Sequence, residues 1–220
     1  MRRERSDWSL KEKLFSEEHM YRRIEGYCKS DEYPQTYKAL SFMKNSHSGQ
    51  YRKQTWFSDE KVLYIEHPLL MACHAHALGV KKDEILAAIL LHDVCEDCGV
   101  TGDELPVSEE VRRIVELLTF EVPQGMTKEE AKKAYYERIK TNPEAAIIKV
   151  LDRCNNVSTM VASFTREKLV AYVDETEKYV YSLMDYIKKE YEEYRDALFV
   201  LKYHILSVVE TIKNMLLREM

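Results

Sequence analysis

DEILAAILLHDVCED, residues 83–97, joins an apolar helical pattern to a cluster of metal-type ligands. Ile85, Leu86, Ile89 and Leu90 recur at helical spacing, and Ala87 and Ala88 allow a neighbour to pack closely beside them. The run ends in His92-Asp93, and Glu96 and Asp97 follow within one more turn. Charged groups at the end of a buried stretch need a counter-charge, and a divalent cation is the simplest one.

Outward from this stretch the composition is that of a helical protein. Six glycines and five prolines in 220 residues suit helices and tell against a sandwich or barrel. We read residues 1–220 as a single all-α domain, with a main body over about 35–185 and a C-terminal helical extension over about 186–220. A net charge of -5 and a pI near 5.9 exclude a general nucleic-acid-binding surface, though not a locally basic pocket. No apolar run approaches a membrane span. The five cysteines are odd in number and irregularly spaced, with no signal peptide before them, so a reducing cytoplasm is expected. Cys95 and Cys98 form a bare CxxC with no second pair, which is a weak zinc or disulfide signal.

Along the chain, Leu14, Phe15, Met20, Tyr21, Ile24 and Tyr27 line one face of a first helix, and Pro34 marks a break before a second that runs to about Ser46. Residues 46–68 lack sustained periodicity. They hold Arg52, Lys53, Trp56 and Phe57, a mixture suited either to a loop over a planar anion or to a solvated surface loop. His67-Pro68 opens a helix that Gly79 closes. His74 and His76 lie further along it, and packing or surface roles suit them better than ligation. Ser108 caps a helix whose inner side is Val111, Ile114, Val115 and Leu118. Thr127 and Glu130 form a capping box, and Asn142-Pro143 starts a further helix.

That helix carries Asp152, Asn156 and Thr159 on one face beside Ile148 and Leu151. Asp152 is either turned into a cleft or paired locally with Lys149 or Arg153. Beyond Thr165 the pattern is helical almost to the end, with the charged stretch 190–196 as a bend or an exposed middle. The fifteen tyrosines, many of them here, suit amphipathic packing or a homo-oligomer interface.

Two imidazoles and two carboxylates make a reasonable N/O site for a divalent cation with water in its open positions. At this point the motifs HSGQYRK (47–53), YIEHPLLMA (64–72), ILAAILLHDVCEDCGVT (85–101), IVELLT (114–119), KVLDRCNNVST (149–159) and YVDETEKY (172–179) can be taken as an ordered set. In that order the chain resembles the HD-domain metal-dependent phosphohydrolases, and among them the (p)ppGpp hydrolase domain of the RelA/SpoT family, including its small stand-alone members. The resemblance implies an all-α HD bundle. It implies Mn²⁺ held by His67, His92, Asp93 and Asp152. It implies an acid–base pair, Glu96 and Asp97, that positions water and shuttles protons. Arg52 falls on the family arginine that packs on guanine or grips phosphate, and Asn156 on the asparagine near the nucleoside. Lys53 and Lys149 are further candidates for phosphate contact.

The sequence departs from the family pattern in two places. QTWFSDEKVL (54–63) stands where the family usually has the shorter SGEP, and KVLDRCNN stands where it usually has KLADRLHN. The ligands are retained and the substrate loop is rebuilt. The expected reaction is hydrolysis of guanosine 3′,5′-bis(diphosphate) at the 3′-pyrophosphate, with no synthetase domain present. The alternatives are the same chemistry on a nucleoside monophosphate, a dNTP or NADPH, or a non-catalytic nucleotide-binding or oligomerisation module.

Overall fold

Local signals along the chain account for most helix starts. The structure is a computed structural model that describes residues 16–52 and 61–218. Leu14, Phe15, Lys53, Trp56 and Phe57 therefore lie outside the described residues. Helix α1 (Glu17–Ser30) starts at Ser16, whose hydroxyl accepts from the His19 amide, and buries Met20, Ile24 and Cys28. Helix α2 (Pro34–Ser46) begins with its proline and has no cap of its own. The Asp83 carboxylate supplies it, accepting from the amides of Gln35 at 2.9 Å and Thr36 at 2.8 Å and from the Thr36 hydroxyl. One aspartate thus opens helix α4 (Asp83–Leu91) and docks α2 onto it.

Helix α3 (Glu66–Ala77) ends before Gly79, whose φ of +83° is the left-handed turn that glycine adopts without strain. The expected apolar stripe on α4 proves to be a helix buried all round, from Ile85 to Leu91. The physical reason is its central place, packed against α2, α3, α6 (Glu109–Leu118) and α8 (Pro143–Thr159). The chain breaks at His92-Asp93, forms the short α5 (Val94–Cys98), and turns away at Gly99 with φ +67°. The Ser108 cap, the Thr127–Glu130 capping box of α7 (Lys128–Ile139) and the Asn142 cap of α8 are all formed as expected.

Helix α9 (Arg166–Glu175) continues through a π turn, Thr176–Val180, into α10 (Tyr181–Glu190). The charged stretch is a bend, and α11 (Arg195–Arg218) returns to pack on α8, α9 and α10. It buries Leu198, Leu201, Ile205, Val209 and Ile212 and leaves Phe199 and Tyr203 exposed. A single hydrophobic cluster joins Met20 at one end of the described chain to Ile212 at the other. Among the described residues the extended pairing is confined to one bridge, Tyr51 with Leu63. No helix among them is long and apolar enough to cross a membrane.

Arg153 ties the π turn to α8. Its guanidinium is buried, pairs with Glu175, donates to the Tyr136 hydroxyl and the Thr176 hydroxyl at 3.2 Å each, and lies over the Tyr172 ring at 3.8 Å. Burial alone would raise the Glu175 pKa, but the Arg153 charge and the hydrogen bond from Lys132 outweigh it and hold it below its ordinary value. Removing one partner of a buried ion pair strands the other. Glu175→Ala is expected to cost about 3–5 kcal/mol in urea unfolding at neutral pH. A depressed carboxylate pKa stabilises above its unfolded value and ceases to do so as pH falls through the folded one. The difference between parent and variant is therefore expected to shrink below the ordinary value of 4.5.

Candidate active site

Three chain segments bring four ligand-type side chains to one point. His67 comes from the first turn of α3, His92 and Asp93 from the break between α4 and α5, and Asp152 from the middle of α8. His67, His92 and Asp93 each offer an atom within 4.8 Å of the others. The Asp152 Oδ1 lies 3.4 Å from His67 Nε2 and 4.0 Å from His92 Nε2. It stands at the edge of the tighter trio because its other oxygen, Oδ2, is taken by Lys149 at 2.8 Å. Both histidines are buried, with ring centres 5.2 Å apart.

The outer nitrogens of the two rings are committed. His67 Nδ1 meets the Asn155 amide oxygen at 2.6 Å, and His92 Nδ1 meets the Ile89 carbonyl at 2.8 Å. Each oxygen can only accept, so each Nδ1 carries a proton and each Nε2 is left to face the centre. His92 Nε2 is buried without a hydrogen-bond partner among the described residues, although Asp93 Oδ2 approaches to 3.1 Å out of alignment. The four groups facing the centre are therefore two imidazole Nε2 atoms and two carboxylates. Burial would depress the His92 pKa, yet the Asp93 and Asp152 charges push it up to about 9. Such a centre draws in positive charge, and its donors fit a divalent cation.

Neighbours hold the acids in place. The Tyr64 hydroxyl donates to Asp93 Oδ2 at 2.6 Å, and burial together with the Asp93 charge keeps that phenol protonated. Its ring stacks on His47 at 4.5 Å. Asn156 Nδ2 donates to Asp152 Oδ1 at 2.6 Å, and its amide oxygen accepts from Arg52 Nη2 at 3.2 Å. Arg52 is held at a fixed place because its amide donates to the Val62 carbonyl at 2.8 Å, beside the Tyr51–Leu63 bridge. Burial would lower the Lys149 pKa, but Asp152 raises it well above the ordinary value, so this ammonium is committed to the aspartate as well as facing the cavity.

A cavity of about 330 Å³ opens on this cluster. Of the residues singled out in the sequence it brings together Arg52, His67, His92, Asp93, Glu96, Lys149, Asp152 and Asn156. Lys53 lies outside the described residues. Glu96 accepts from the Phe120 amide at 3.3 Å, and burial raises its pKa. Asp97 is exposed and outside the cavity wall, with its carboxylate toward the Tyr64 hydroxyl. Thr159 is exposed, its hydroxyl spent on the Asn156 carbonyl. His76 stacks on Tyr27, consistent with a packing role, and Cys95 and Cys98 are free thiols. Lys128, Lys132, Tyr135, Tyr136 and Tyr172 also line the cavity; the sequence reading passed over the first four and met Tyr172 only as part of the motif at 172–179. A signal for the first three exists, since residues 128, 132 and 135 recur at i, i+4 and i+7 on one face of α7.

No family model matches the chain. Relatives are found nonetheless. The guanosine-3′,5′-bis(diphosphate) 3′-pyrophosphohydrolase MESH1 of Mus musculus is 32% identical over 127 residues, covering 56% of this chain and 68% of the relative. MESH1 of Xenopus tropicalis is 32% identical over 124 residues, or 54% of this chain and 66% of that protein. The guanosine-3′,5′-bis(diphosphate) 3′-pyrophosphohydrolase of Aquifex aeolicus is 33% identical over 63% of this chain but only 19% of its own length. A solved structure described as a metazoan orthologue of SpoT that hydrolyses ppGpp superposes with a TM-score of 0.63 at 19% identity, over 81% of this chain and 95% of that one. That likeness establishes the shared fold, and the identity to the mouse relative over two thirds of its length establishes kinship. The chain belongs to the HD-type family of guanosine-3′,5′-bis(diphosphate) 3′-pyrophosphohydrolases that includes the MESH1 proteins.

Proposed function

We propose that the chain is a metal-dependent hydrolase of guanosine 3′,5′-bis(diphosphate) that releases pyrophosphate from the 3′ position. The observation that carries the reading is the cluster of two imidazoles and two carboxylates facing one point beside a cavity lined with basic and aromatic side chains. His67, His92, Asp93 and Asp152 would hold the ion, which we assign as Mn²⁺. Such an ion lowers the pKa of water and offsets charge growing on phosphoryl oxygens.

The remaining chemistry belongs to side chains. Glu96, in the cavity wall, orients the attacking water, accepts its proton and returns one to the leaving oxygen. Asp97, the other acid of the pair, acts through the Tyr64 hydroxyl that also holds Asp93. Lys128 and Lys132 reach the diphosphates by charge-assisted hydrogen bonds, and Lys149 keeps Asp152 oriented at their edge. Arg52 lies over the base or pairs with phosphate, and Asn156 ties it to the metal ligands. The aromatic walls exclude water from the reacting phosphoryl group. We read residues 1–220 as one unit, because a single buried cluster joins α1 to α11. Five free cysteines suit a reducing compartment, and we place the protein in the cytoplasm.

The deciding experiment is turnover of ppGpp with Mn²⁺, reading GDP and pyrophosphate, beside nucleoside monophosphates, dNTPs and NADPH. Preferred turnover of one of the latter would transfer the same chemistry to another nucleotide, a result the lengthened 54–63 stretch would then explain. Asp152→Ala is expected to abolish most Mn²⁺ binding in a calorimetric titration. Full stoichiometry at parental affinity would remove Asp152 from the ligand set. Glu96→Gln is expected to keep the fold and the ion but to lose at least about tenfold in kcat, as loss of a general acid–base group does. Lys132→Ala is expected to raise KM for ppGpp more than it lowers kcat, which steady-state kinetics will separate.

A further inference from the structure

The Asn155 amide has no part in the reaction just described, yet it is buried and makes a 2.6 Å contact with a ring nitrogen from a helix 88 residues away in sequence. It lies three residues after Asp152, so one turn of α8 carries both an acid of the centre and the group that grips an imidazole of the centre. We infer that Asn155 is a positioning residue that fixes the tautomer of His67 and thereby sets the affinity of the centre for its cation. The inference rests on the metal reading above.

The argument starts from what His67 would do alone. A neutral imidazole can carry its proton on either nitrogen, and only the form with hydrogen on Nδ1 leaves Nε2 able to bind a cation. In the other form an N–H would point at the centre, 3.4 Å from Asp152 Oδ1 and 3.8 Å from Asp93 Oδ2. Those two carboxylates would reward the wrong tautomer with hydrogen bonds. Something must therefore favour the Nδ1 proton against them. The Asn155 oxygen does so by accepting it within a buried contact, where an unmade hydrogen bond is expensive. His92 meets the same difficulty with a backbone carbonyl, that of Ile89 in its own helix. His67 stands in the first turn of α3, where the carbonyl three residues back, that of Tyr64, accepts from the His67 amide, and the acceptor for the ring comes from α8 instead. Asn155 is also neutral. An aspartate here would add a third negative charge to a centre that already holds Asp93 and Asp152.

The test uses the full chain and Mn²⁺ alone, with no nucleotide. Long-range ¹H–¹⁵N spectra of the metal-free protein, followed through a pH series to the neutral ring, report which nitrogen of His67 is protonated. The parent is expected to show hydrogen on Nδ1 and a bare Nε2. Asn155→Leu, close in size but without an acceptor, is expected to shift His67 toward the Nε2–H form and to weaken Mn²⁺ binding by about 10–100-fold, the usual range for losing such an outer partner. Asn155→Asp, which restores an acceptor, is expected to return both the parental tautomer and Mn²⁺ binding at least as tight as in the parent. Unchanged affinity and tautomer in a folded Asn155→Leu protein would overturn the inference. So would an Nε2–H form of His67 in the parent, a result that depends on no variant folding. If the parent binds no Mn²⁺ at all, the metal reading fails, while the parental tautomer still decides the role of Asn155.

Discussion

Two carboxylates and two imidazoles meet at the inner end of a helix that is apolar on every side. Like charges so placed repel, and partial burial strengthens the repulsion, so each acid must be held by a donor of its own. Asp93 has the Tyr64 hydroxyl, and Asp152 has the Lys149 ammonium and the Asn156 amide. The histidines are turned by Asn155 and by the Ile89 carbonyl. Much of what surrounds the centre can be understood as satisfying this one electrostatic demand while leaving the inward face open to a cation.

Helix α8 carries the larger share. Within two turns it presents Lys149, Asp152, Arg153, Asn155 and Asn156, and each does a different task. Arg153 runs along the cavity wall into the Glu175–Tyr172–Tyr136 cluster and anchors the helix against the π turn. The other four face or flank the centre. A helix that supplies an acid of the centre, its donors and a partner for a distant imidazole must not rotate, and the buried arginine beside them holds it in place.

The parts of this arrangement that were legible in the sequence are those encoded within one turn or one motif. Ser108, the Thr127–Glu130 box and Asn142-Pro143 announce helix starts through groups three residues apart, and all three are formed. The ligand-type residues were legible because they sit in an ordered set of motifs. What stayed hidden depends on contact between segments far apart in the chain. The carboxylate of Asp83 caps α2 across 47 residues, and Tyr64 reaches Asp93 across 29. Local reading left Lys149 open between a surface pairing with Asp152 and a phosphate contact, and only the packed structure shows the ammonium buried against the aspartate. The all-round burial of α4 was also invisible, because a short apolar run does not reveal how many neighbours enclose it.

The pairing of Tyr51 with Leu63 clamps the chain on either side of residues 53–60, and Arg52 sits on the inner side of that clamp. The closure cost of a loop grows only slowly with its length once its ends are fixed. Residues can therefore be added or exchanged beyond the clamp without moving the guanidinium that touches Asn156. The bridge thus uncouples the position of Arg52 from the length of chain that joins its two ends.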